Sequence, residues 1–393
     1  MTAADTPLVY NPYDAETNRD PFPVYARLRR EAPVYHNPDL GFYALSRYED
    51  VLAALHDTDT YCSRHGITLE PRSPLPLLLT MDPPEHTKMR SLISRGFTPR
   101  RVAAMEDDMR ALSTKYLERF RDAGSCDLIA DYSGRLPMDV ISTMLGVPEA
   151  DQEQMRIWSD AMMEREDGNP DIPPAGIEAG ANVYQYFTEL VAERRRRPTG
   201  DLTSAFLEAE LDGQGLTDLQ VVSFCFLFII AGNETTTKLL ANAVYWLQRH
   251  PAARKEVSED PALVPQWVEE TLRFDNSTQL MARTVSADFH YRGHAMRRGQ
   301  KVLLLIGSAN RDEEVFPNPD RFDLHRDTTA HLSFGRGTHF CLGAALARLE
   351  ARVSLEEVLR RIPGYEIDEP NAVRVHSTNV RGFMSLPMHL GAR

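Results

Sequence analysis

One short segment, residues 334–343, constrains the fold of this chain more than any other. Its sequence is Phe-Gly-Arg-Gly-Thr-His-Phe-Cys-Leu-Gly, so that three glycines surround Cys341. The apolar spacing of one buried helix face follows at once, at Leu342, Leu346, Leu349 and Val353. We therefore expect Cys341 at the N-terminus of a helix, where free backbone N–H groups and the helix dipole favour a thiolate over a thiol.

The glycines indicate what such a thiolate could bind. Gly335, Gly337 and Gly343 leave room for a flat, bulky group near the backbone, and they permit left-handed turns that aim N–H groups at the sulfur. A lone thiolate without a second cysteine or histidine ligand suits a metal that four other atoms already hold. Haem meets that condition, and a thiolate ligand promotes cleavage of the O–O bond. The alternative is a buried cysteine in a glycine-rich turn.

A long apolar run forms the second constraint. Thr217 and Gln220 are spaced as a capping box, and the helix that they open can continue until His250 and Pro251 stop it. Its first half is apolar on all sides, which is typical of a helix through the middle of a large protein. In residues 231–237 we expect distorted hydrogen bonding, because glycine costs about 1 kcal/mol relative to alanine in a helix and threonine is also a poor helix former.

Residues 231–235 of this helix could deliver protons. Ala231 and Thr235 lie four residues apart on one face, so that a small side chain leaves space beside a hydroxyl. Glu234 places an acid next to that space. Oxygen activation requires protons at the distal oxygen atom, and a carboxylate with a hydroxyl can relay them from solvent. The alternative is a polar kink filled by water.

The chain as a whole is predicted to be mainly α-helical with small β-sheets. Helical spacing dominates residues 98–247. No internal repeat or single linker divides the sequence, so we predict one domain over residues 1–393. The β-prone runs lie at residues 42–45, 281–285, 302–306 and 373–375.

Several helix boundaries can also be predicted. Ser46 and Glu49 have the spacing of a capping box, which would open a helix after the strand at residues 42–45. Gly146 and Pro148 are expected to end another helix.

Composition excludes several classes of protein. The net charge of −13 argues against a general nucleic-acid-binding surface. The four cysteines are widely spaced without a CxxC pair, which excludes a disulfide framework and indicates a reducing cytoplasm. The first twenty residues lack the features of a signal peptide, and residues 221–231 are too short an apolar run to cross a bilayer. We expect a cytoplasmic monomer without a membrane anchor.

Together these motifs resemble those of the cytochrome P450 superfamily, in its soluble bacterial type. Residues 334–343 match the signature Phe-Gly-x-Gly-x-His-x-Cys-x-Gly at every fixed position, and residues 231–235 match Ala-Gly-x-Glu/Asp-Thr. Glu270 and Arg273 match Glu-x-x-Arg, a pair that would hold the cysteine loop together with Arg321 or Arg326. The resemblance implies the cytochrome P450 fold, with a long central helix over the haem.

The resemblance also implies a set of site residues. Cys341 would be the axial ligand to the iron of haem b (iron protoporphyrin IX). His86 and Arg90, as two cationic donors on one helix face, would bind the haem propionates with Arg283 and His339. The implied cofactor-binding residues are His86, Arg90, Ala231, Arg283, Phe334, Gly335, His339, Cys341 and Gly343, and the implied catalytic residues are Glu234 and Thr235.

The implied function is oxygenation. Electrons from NAD(P)H would arrive through a ferredoxin reductase and a ferredoxin, and a bulky hydrophobic molecule would be hydroxylated or epoxidised, such as a polyketide, terpenoid, steroid or fatty acid of secondary metabolism. Oxidative coupling or ring formation on a carrier-bound substrate is an alternative. A haem-binding sensor without turnover is another, although Glu234 and Thr235 argue against it.

Two surfaces would serve the partners. A cluster of cations is predicted to dock an acidic ferredoxin, unless it is only a solvated charge cluster. Four segments, at residues 66–79, 162–180, 280–281 and 380–383, are expected to shape the substrate pocket. The cations of the predicted docking cluster are Arg95, Arg100, Arg101 and Arg336.

The sequence departs from the family pattern at Glu313, which stands where proline is usual.

Overall fold

The computed structural model describes residues 7–70, 75–163, 172–211 and 213–391. Helices predominate in these residues and the strands form small sheets, as the sequence predicts. The α-helices are α1 (Ala15–Arg19), α2 (Phe22–Glu31), α3 (Tyr48–His56), α4 (Glu85–Ile93), α5 (Pro99–Ala103), α6 (Glu106–Phe120), α7 (Leu136–Leu145), α8 (Glu149–Met163), α9 (Pro174–Arg196), α10 (Leu202–Glu208), α11 (Asp218–Arg249), α12 (Pro251–Glu259), α13 (Val264–Phe274), α14 (Ile306–Ala309) and α15 (Ala344–Arg361). The β-strands are β1 (Val34–Asn37), β2 (Phe42–Leu45), β3 (Tyr61–Cys62), β4 (Ser125–Asp127), β5 (Glu210–Leu211), β6 (Gln214–Gly215), β7 (Met281–Val285), β8 (Phe289–Tyr291), β9 (His294–Met296), β10 (Lys301–Leu304), β11 (Tyr365–Ile367), β12 (Val373–Arg374), β13 (Phe383–Ser385) and β14 (Pro387–Leu390).

The largest sheet joins early and late parts of the chain. Its strand order is β1-β2-β10-β7-β3, with β10 parallel to β2 and the other pairs antiparallel. All four residues of β2 are buried, as a short apolar run inside a protein requires. In β7, Arg283 pairs with Val302 and lies inside the protein. The sheet thus places inside the protein one of the four residues predicted to bind the haem propionates.

The central helix α11 has the bounds that its capping signals predict. The Thr217 hydroxyl accepts from the Gln220 N–H, and the Gln220 side chain accepts in return from the Thr217 N–H at 2.9 Å. The helix ends at Arg249, before Pro251, and contacts α7, α9 and α15. Its length and composition alone would allow it to cross a bilayer, but 56% of its most apolar window is buried inside the protein. A helix through the core has this property.

Residues 231–237, where distorted hydrogen bonding was expected, do not break the helix. Helix α11 continues through them without interruption. The hydroxyls find partners within the helix, because Thr235 Oγ1 donates to the Ala231 carbonyl at 2.9 Å and Thr237 Oγ1 lies 3.4 Å from Asn233 Oδ1. Packing against neighbouring helices outweighs weak helix propensity, as it does in most protein helices.

The capping box predicted for Ser46 and Glu49 is also wrong. Ser46 is fully buried, and its hydroxyl donates to the Pro33 carbonyl at 3.2 Å. Helix α3 begins at Tyr48, whose N–H donates to the Asp312 carboxylate at 2.7 Å. A residue 264 positions away therefore provides the cap that local spacing assigned to Ser46. By contrast, Gly146 ends α7 as predicted, with a φ of 84°.

Glu270 and Arg273 form a bidentate ion pair in which neither side chain is exposed. Nε and Nη2 of Arg273 donate to the two carboxylate oxygens at 2.7 and 2.8 Å. Arg326 completes the network, with Nε 3.3 Å from Glu270 Oε1. Arg321 contributes its carbonyl oxygen to Arg273, so the choice that the sequence left open falls on Arg326.

This network reaches the cysteine segment through Asn310. Nη1 of Arg273 donates to the Asn310 carbonyl at 2.9 Å. The Asn310 side chain accepts from the Leu332 N–H at 2.7 Å and donates to Ser333 Oγ at 2.8 Å. Since Ser333 directly precedes Phe334, the buried ion pair fixes the beginning of the segment at residues 334–343.

We expect Arg273→Lys to lower the free energy of unfolding by about 3 kcal/mol or more, measured by denaturant unfolding of the holoprotein. Lysine cannot bridge both oxygens of Glu270 and the Asn310 carbonyl together, and breaking a buried pair costs about 3–5 kcal/mol. The matched control is Arg298→Lys at an exposed position, which should change stability by less than about 0.5 kcal/mol. Equal stabilities for the two variants would contradict this account of the network.

Candidate active site

The cysteine segment folds as a tight loop that ends where α15 begins. The Cys341 N–H donates to the Phe334 carbonyl at 2.8 Å, so that the two ends of the loop meet. Gly335 and Gly337 adopt the left-handed conformation, with φ of 68° and 67°. Gly343 is the N-cap of α15, which places Cys341 two residues before the cap, beside the helix N-terminus.

Gly343 and Gly337 each fulfil only one of the two roles predicted for the glycines, a left-handed turn and space for a bulky group. Gly343 has a φ of −84°, so the left-handed turn predicted there is wrong, but a Cβ built at this position meets nothing within 4 Å. The space beside Gly343 is open to a bulky group. At Gly337 a Cβ would lie 2.9 Å from the Leu55 carbonyl, so this glycine allows the loop to approach α3.

The thiol of Cys341 is not acidic in the protein alone. Burial raises its pKa, while the Gly343 N–H and the charges of Arg90 and Arg348 act in the opposite direction. The helix N-terminus therefore does not by itself produce the thiolate that the sequence predicts. A metal ion would produce it, because coordination deprotonates a thiol.

Cys341 also faces an interior space. Its side chain has accessible surface although its surroundings bury it deeply enough to raise its pKa, so this surface does not face bulk solvent. On the buried helix α11, Ala231 is exposed and Thr235 is half-buried. Exposed residues on segments that are otherwise buried indicate an internal cavity.

The structure brings the four predicted propionate donors together. The rings of His86 and His339 lie 4.2 Å apart between centroids. Burial, followed by the charge of Arg90, lowers the pKa of His86 to about 4. Burial, followed by the charge of Arg283, lowers the pKa of His339 to about 3. Both imidazoles are therefore neutral at pH 7 while no carboxylate is bound, and a propionate beside them would raise both pKa values toward the cationic form predicted for His86.

These donors have unused hydrogen-bonding capacity. Both ring nitrogens of His86 are buried and lack a hydrogen-bond partner among the described residues. Arg283 is buried, burial lowers its pKa to about 10, and its Nη1 donates to the adjacent Ala282 carbonyl at 2.9 Å. The nearby Asp82 carboxylate binds Arg64 at 2.7 Å and the Ser63 N–H at 2.7 Å. Because Asp82 binds Arg64 and Ser63, it does not serve as a hydrogen-bond partner of His86 or Arg283. A carboxylate from a bound ligand would provide that partner.

Haem fits this set of residues. Among the residues that the structure describes, no three His, Cys, Asp or Glu side chains could hold a metal ion together, so Cys341 needs a metal that brings its other ligands. The two propionates match the unsatisfied donors at His86 and Arg283. Arg90 connects the propionate donors to the cysteine loop, because its Nη2 donates to the carbonyl of Phe340, the residue before Cys341, at 2.6 Å.

On α11, the predicted acid has a partner that sequence reasoning missed. Glu234 is buried, and its Oε1 lies 3.1 Å from Nζ of Lys238, which is also buried. The two groups are close enough for an ion pair but not aligned for a hydrogen bond. Their i, i+4 spacing on a helix could have predicted the pair.

Asp160 extends this charge cluster toward the surface. Burial raises the pKa of its carboxyl to about 6; the Arg156 guanidinium opposes the shift and the Glu234 carboxylate adds to it. Nη1 of Arg156 lies 2.6 Å from Asp160 Oδ2, and the Asp160 side chain is 43% exposed. A carboxyl that is half-protonated near pH 6, and mostly ionised at pH 7, thus lies between solvent and Glu234.

The remaining predicted residues are placed as follows. Arg100 and Arg101 are exposed on α5, a helix that contacts α15, whereas Arg336 donates to the Thr329 carbonyl at 2.8 Å. Glu313 binds Nε of Arg29 at 3.0 Å. The side chain of Arg95 and parts of the predicted pocket segments, residues 71–74 and 164–171, lie outside the described residues.

Comparison with known proteins identifies the family. The family model "Cytochrome P450" matches residues 178–384. Cytochrome P450 123 from Mycobacterium tuberculosis is 48% identical to this chain over 400 aligned residues that cover the whole of both proteins. The chain belongs to the cytochrome P450 family. It is therefore a haem monooxygenase, and the predicted fold and enzyme class are confirmed.

Solved structures of other cytochromes P450 have the same fold as this chain. CYP109E1 from Bacillus megaterium in complex with corticosterone is 32% identical, with a TM-score of 0.87, and the match covers 96% of this chain and 100% of that one. P450BioI in complex with an acyl carrier protein ligated to hexadec-9Z-enoic acid is 31% identical, with a TM-score of 0.88, over 96% and 99% of the two chains. Members of one fold thus receive free and carrier-bound ligands.

Proposed function

We propose that this cytochrome P450 uses Cys341 as the axial ligand of haem b and hydroxylates or epoxidises a bulky hydrophobic small molecule. The proposal is carried by one observation: the Cys341 thiol lies near Arg90, in a site where His86 has no hydrogen-bond partner among the described residues and the buried Arg283 donates to the adjacent Ala282 carbonyl. We further propose a cytoplasmic, monomeric, single-domain enzyme of secondary metabolism. NAD(P)H would supply electrons through a ferredoxin reductase and a ferredoxin.

Each residue of the proximal site has a distinct task. Bound haem supplies the iron that activates dioxygen. Cys341 provides the thiolate, and Phe334, Gly335 and Gly343 shape the loop and leave the space beside the sulfur. Arg90 and Arg283 provide charge for the propionates. The rings of His86 and His339 add N–H donors beside these cations.

On the distal side, α11 holds the proton-transfer groups. The Thr235 hydroxyl donates to the Ala231 carbonyl, so its oxygen can accept a hydrogen bond there; to relay a proton, the hydroxyl would turn from that carbonyl and release its own proton as another one reaches its oxygen. Glu234, held by Lys238, would return a proton to Thr235, and Asp160 would exchange protons with solvent. Ala231 leaves space beside the hydroxyl. This arrangement favours oxygenation over a sensor role, which requires no proton relay.

We expect Lys238→Met to lower the free energy of unfolding by about 3 kcal/mol, because Glu234 would stay buried without its counter-charge. Glu234→Gln in the same chain removes that charge, so the double variant should regain most of the loss. Denaturant unfolding of the four proteins gives the coupling energy. If the two substitutions destabilise the protein additively, the ion pair is not the source of the effect.

Electron transfer is expected near α5. Arg100 and Arg101 expose positive charge on a helix that packs against α15, the helix that begins just after Cys341, in a protein whose net charge is −13. An acidic ferredoxin would be attracted to this patch. Reduction by such a partner should slow as ionic strength rises, since exposed charges are screened.

The substrate class is tested with two probes, corticosterone and hexadec-9Z-enoic acid. Holoenzyme is titrated with each while the low-spin to high-spin change of the Soret band is followed, and then incubated with NADPH, ferredoxin and ferredoxin reductase. We expect a spin shift and a product that has gained one oxygen atom from at least one probe. Reductant consumption without a spin shift or product from either would contradict the proposed function.

A carrier-bound substrate is the second candidate, favoured by the similarity to P450BioI, which was solved with its acyl carrier protein. Comparison of free hexadec-9Z-enoic acid with the same acid on an acyl carrier protein separates the two candidates. A spin shift with the carrier-bound form alone would favour the second, and an equal shift with both would favour the first.

A further inference from the structure

Thr235 is held from outside its own helix. Oγ of Ser277 donates to the carbonyl oxygen of Thr235 at 2.7 Å, and Ser277 is buried. In an α-helix that carbonyl also accepts from the N–H four residues later, so it receives two donors, one for each lone pair. Helical carbonyls that accept a hydrogen bond from outside tilt away from the helix axis. Ser277 therefore acts on the turn that carries the Thr235 hydroxyl.

Ser277 belongs to a unit made of two chain segments, residues 275–281 and 379–383. The carbonyl of Ser277 accepts from the Arg381 N–H at 2.7 Å. Thr278 and Val380 form an isolated antiparallel bridge, and the Gln279 N–H donates to a carbonyl of the second segment at 2.8 Å. We call these segments the paired loops. They contain both late segments predicted to shape the substrate pocket.

The paired loops follow one stripe of α11. The first contact is the Ser277 bond to Thr235. The second is between Gly382 and Lys238, which lie so close that a Cβ on the glycine would be 2.5 Å from Lys238 Cβ. One turn later, Asn242 Nδ2 donates to the Asp275 carbonyl at 2.9 Å. Spacings of three and four residues place these contacts on one helix face.

The anchor of the paired loops is strong away from Ser277. Asp275 is fully buried, and its carboxylate accepts from Arg381 Nε at 2.7 Å and from Trp246 Nε1 at 3.0 Å. The Gly307 N–H donates to the Gln279 carbonyl at 2.9 Å. Loss of the Ser277 hydroxyl would therefore leave the loops in place and free only the Thr235 turn.

We propose that Ser277 is a positioning residue for oxygen activation, which couples the paired loops to the Thr235 turn and so sets the direction of the Thr235 hydroxyl. The inference rests on the proposed function, because it assumes that Thr235 transfers protons. A ligand that contacts residues 280–281 or 380–383 would move the paired loops, and the Ser277 bond would transmit that movement to α11. Occupancy of the pocket and readiness for proton transfer would thereby be linked.

The first test is amide hydrogen exchange on the holoenzymes. In Ser277→Ala we expect residues 235–242 to exchange about fivefold faster, as the loss of one hydrogen bond worth about 1 kcal/mol implies, with α15 unchanged. Ser277→Thr keeps the hydroxyl and should restore the wild-type rate. The matched control is Ser223→Ala, which removes a hydroxyl bonded within α11 to the Leu219 carbonyl at 2.7 Å and should leave residues 235–242 unaffected.

The second test is the fraction of NADPH recovered as product rather than peroxide, with corticosterone as the probe. Ser277→Ala should lower this fraction about threefold, and it should have no further effect in a Thr235→Ala background, because Ser277 acts through Thr235. Additive effects would overturn the proposal, as would unchanged exchange at residues 235–242 or equally faster exchange along the whole chain. Failure of wild type to oxidise corticosterone would count against the proposed substrate class, and the exchange test would still decide the role of Ser277.

Discussion

The Cys341→Ser variant is expected to fold but to lose monooxygenase turnover by at least about 100-fold. Removing a residue that only hydrogen-bonds to a metal ligand already lowers metal affinity or activity by about 10- to 100-fold. Loss of the ligand itself should therefore lower activity further. A serine hydroxyl is far less acidic than a thiol and does not supply the electron-rich sulfur that promotes O–O cleavage. Turnover with NADPH, ferredoxin and reductase, together with the amount of haem retained after gel filtration, measures the effect.

The matched control for this variant is Cys126→Ser. Cys126 lies on β4, half-buried and away from the cysteine loop, and burial raises the pKa of its thiol to about 12. It should retain full haem content and turnover. A Cys341→Ser protein with wild-type turnover, or a Cys126→Ser protein without it, would show that the wrong cysteine has been assigned.

Substitutions of Glu234 and Thr235 are expected to separate oxygen consumption from product formation. General acid–base groups contribute about 100- to 10,000-fold, so Glu234→Gln should lower product formation by about 100-fold or more. Thr235→Ala should continue to consume NADPH while releasing most of it as peroxide, because protons no longer reach the correct oxygen atom. The measurements are NADPH consumed, peroxide released and product formed in the same reaction.

The control for Thr235→Ala is Thr237→Val. Thr237 lies two residues further on α11, on a different face, and its hydroxyl points to Asn233 Oδ1 at 3.4 Å. Its replacement should leave the ratio of product to NADPH unchanged. Unaltered coupling in Thr235→Ala would remove Thr235 from the mechanism, and with it the positioning role of Ser277.

Features encoded by local spacing could be predicted from the sequence. The cysteine loop before α15 and the capping box of α11 depend on residues within a few positions of one another, and the structure has both. The capping box at Ser46 fails because the buried Ser46 turns to Pro33 and Asp312 arrives from the other end of the chain. Local rules cannot anticipate a cap that the tertiary fold supplies.

The electrostatics of the site have a related cause. The helix N-terminus was expected to make Cys341 acidic, but burial dominates the pKa of its thiol, and burial is also the largest influence on the pKa of His86. Burial depends on how distant segments pack, which no short motif contains. Lys238 could have been found by its spacing from Glu234, whereas the Ser277 contact with Thr235 spans 42 residues and has no local signal.

The most direct test of the central claim, that Cys341 binds the haem iron, is the absorption spectrum of the wild-type holoenzyme after reduction under carbon monoxide. If Cys341 is the ligand, the Soret band lies at the long-wavelength position that thiolate ligation produces, and this band is lost in Cys341→Ser and kept in Cys126→Ser. A Soret band at the shorter wavelength of haem with a neutral proximal ligand, in correctly folded wild-type protein, would contradict that claim.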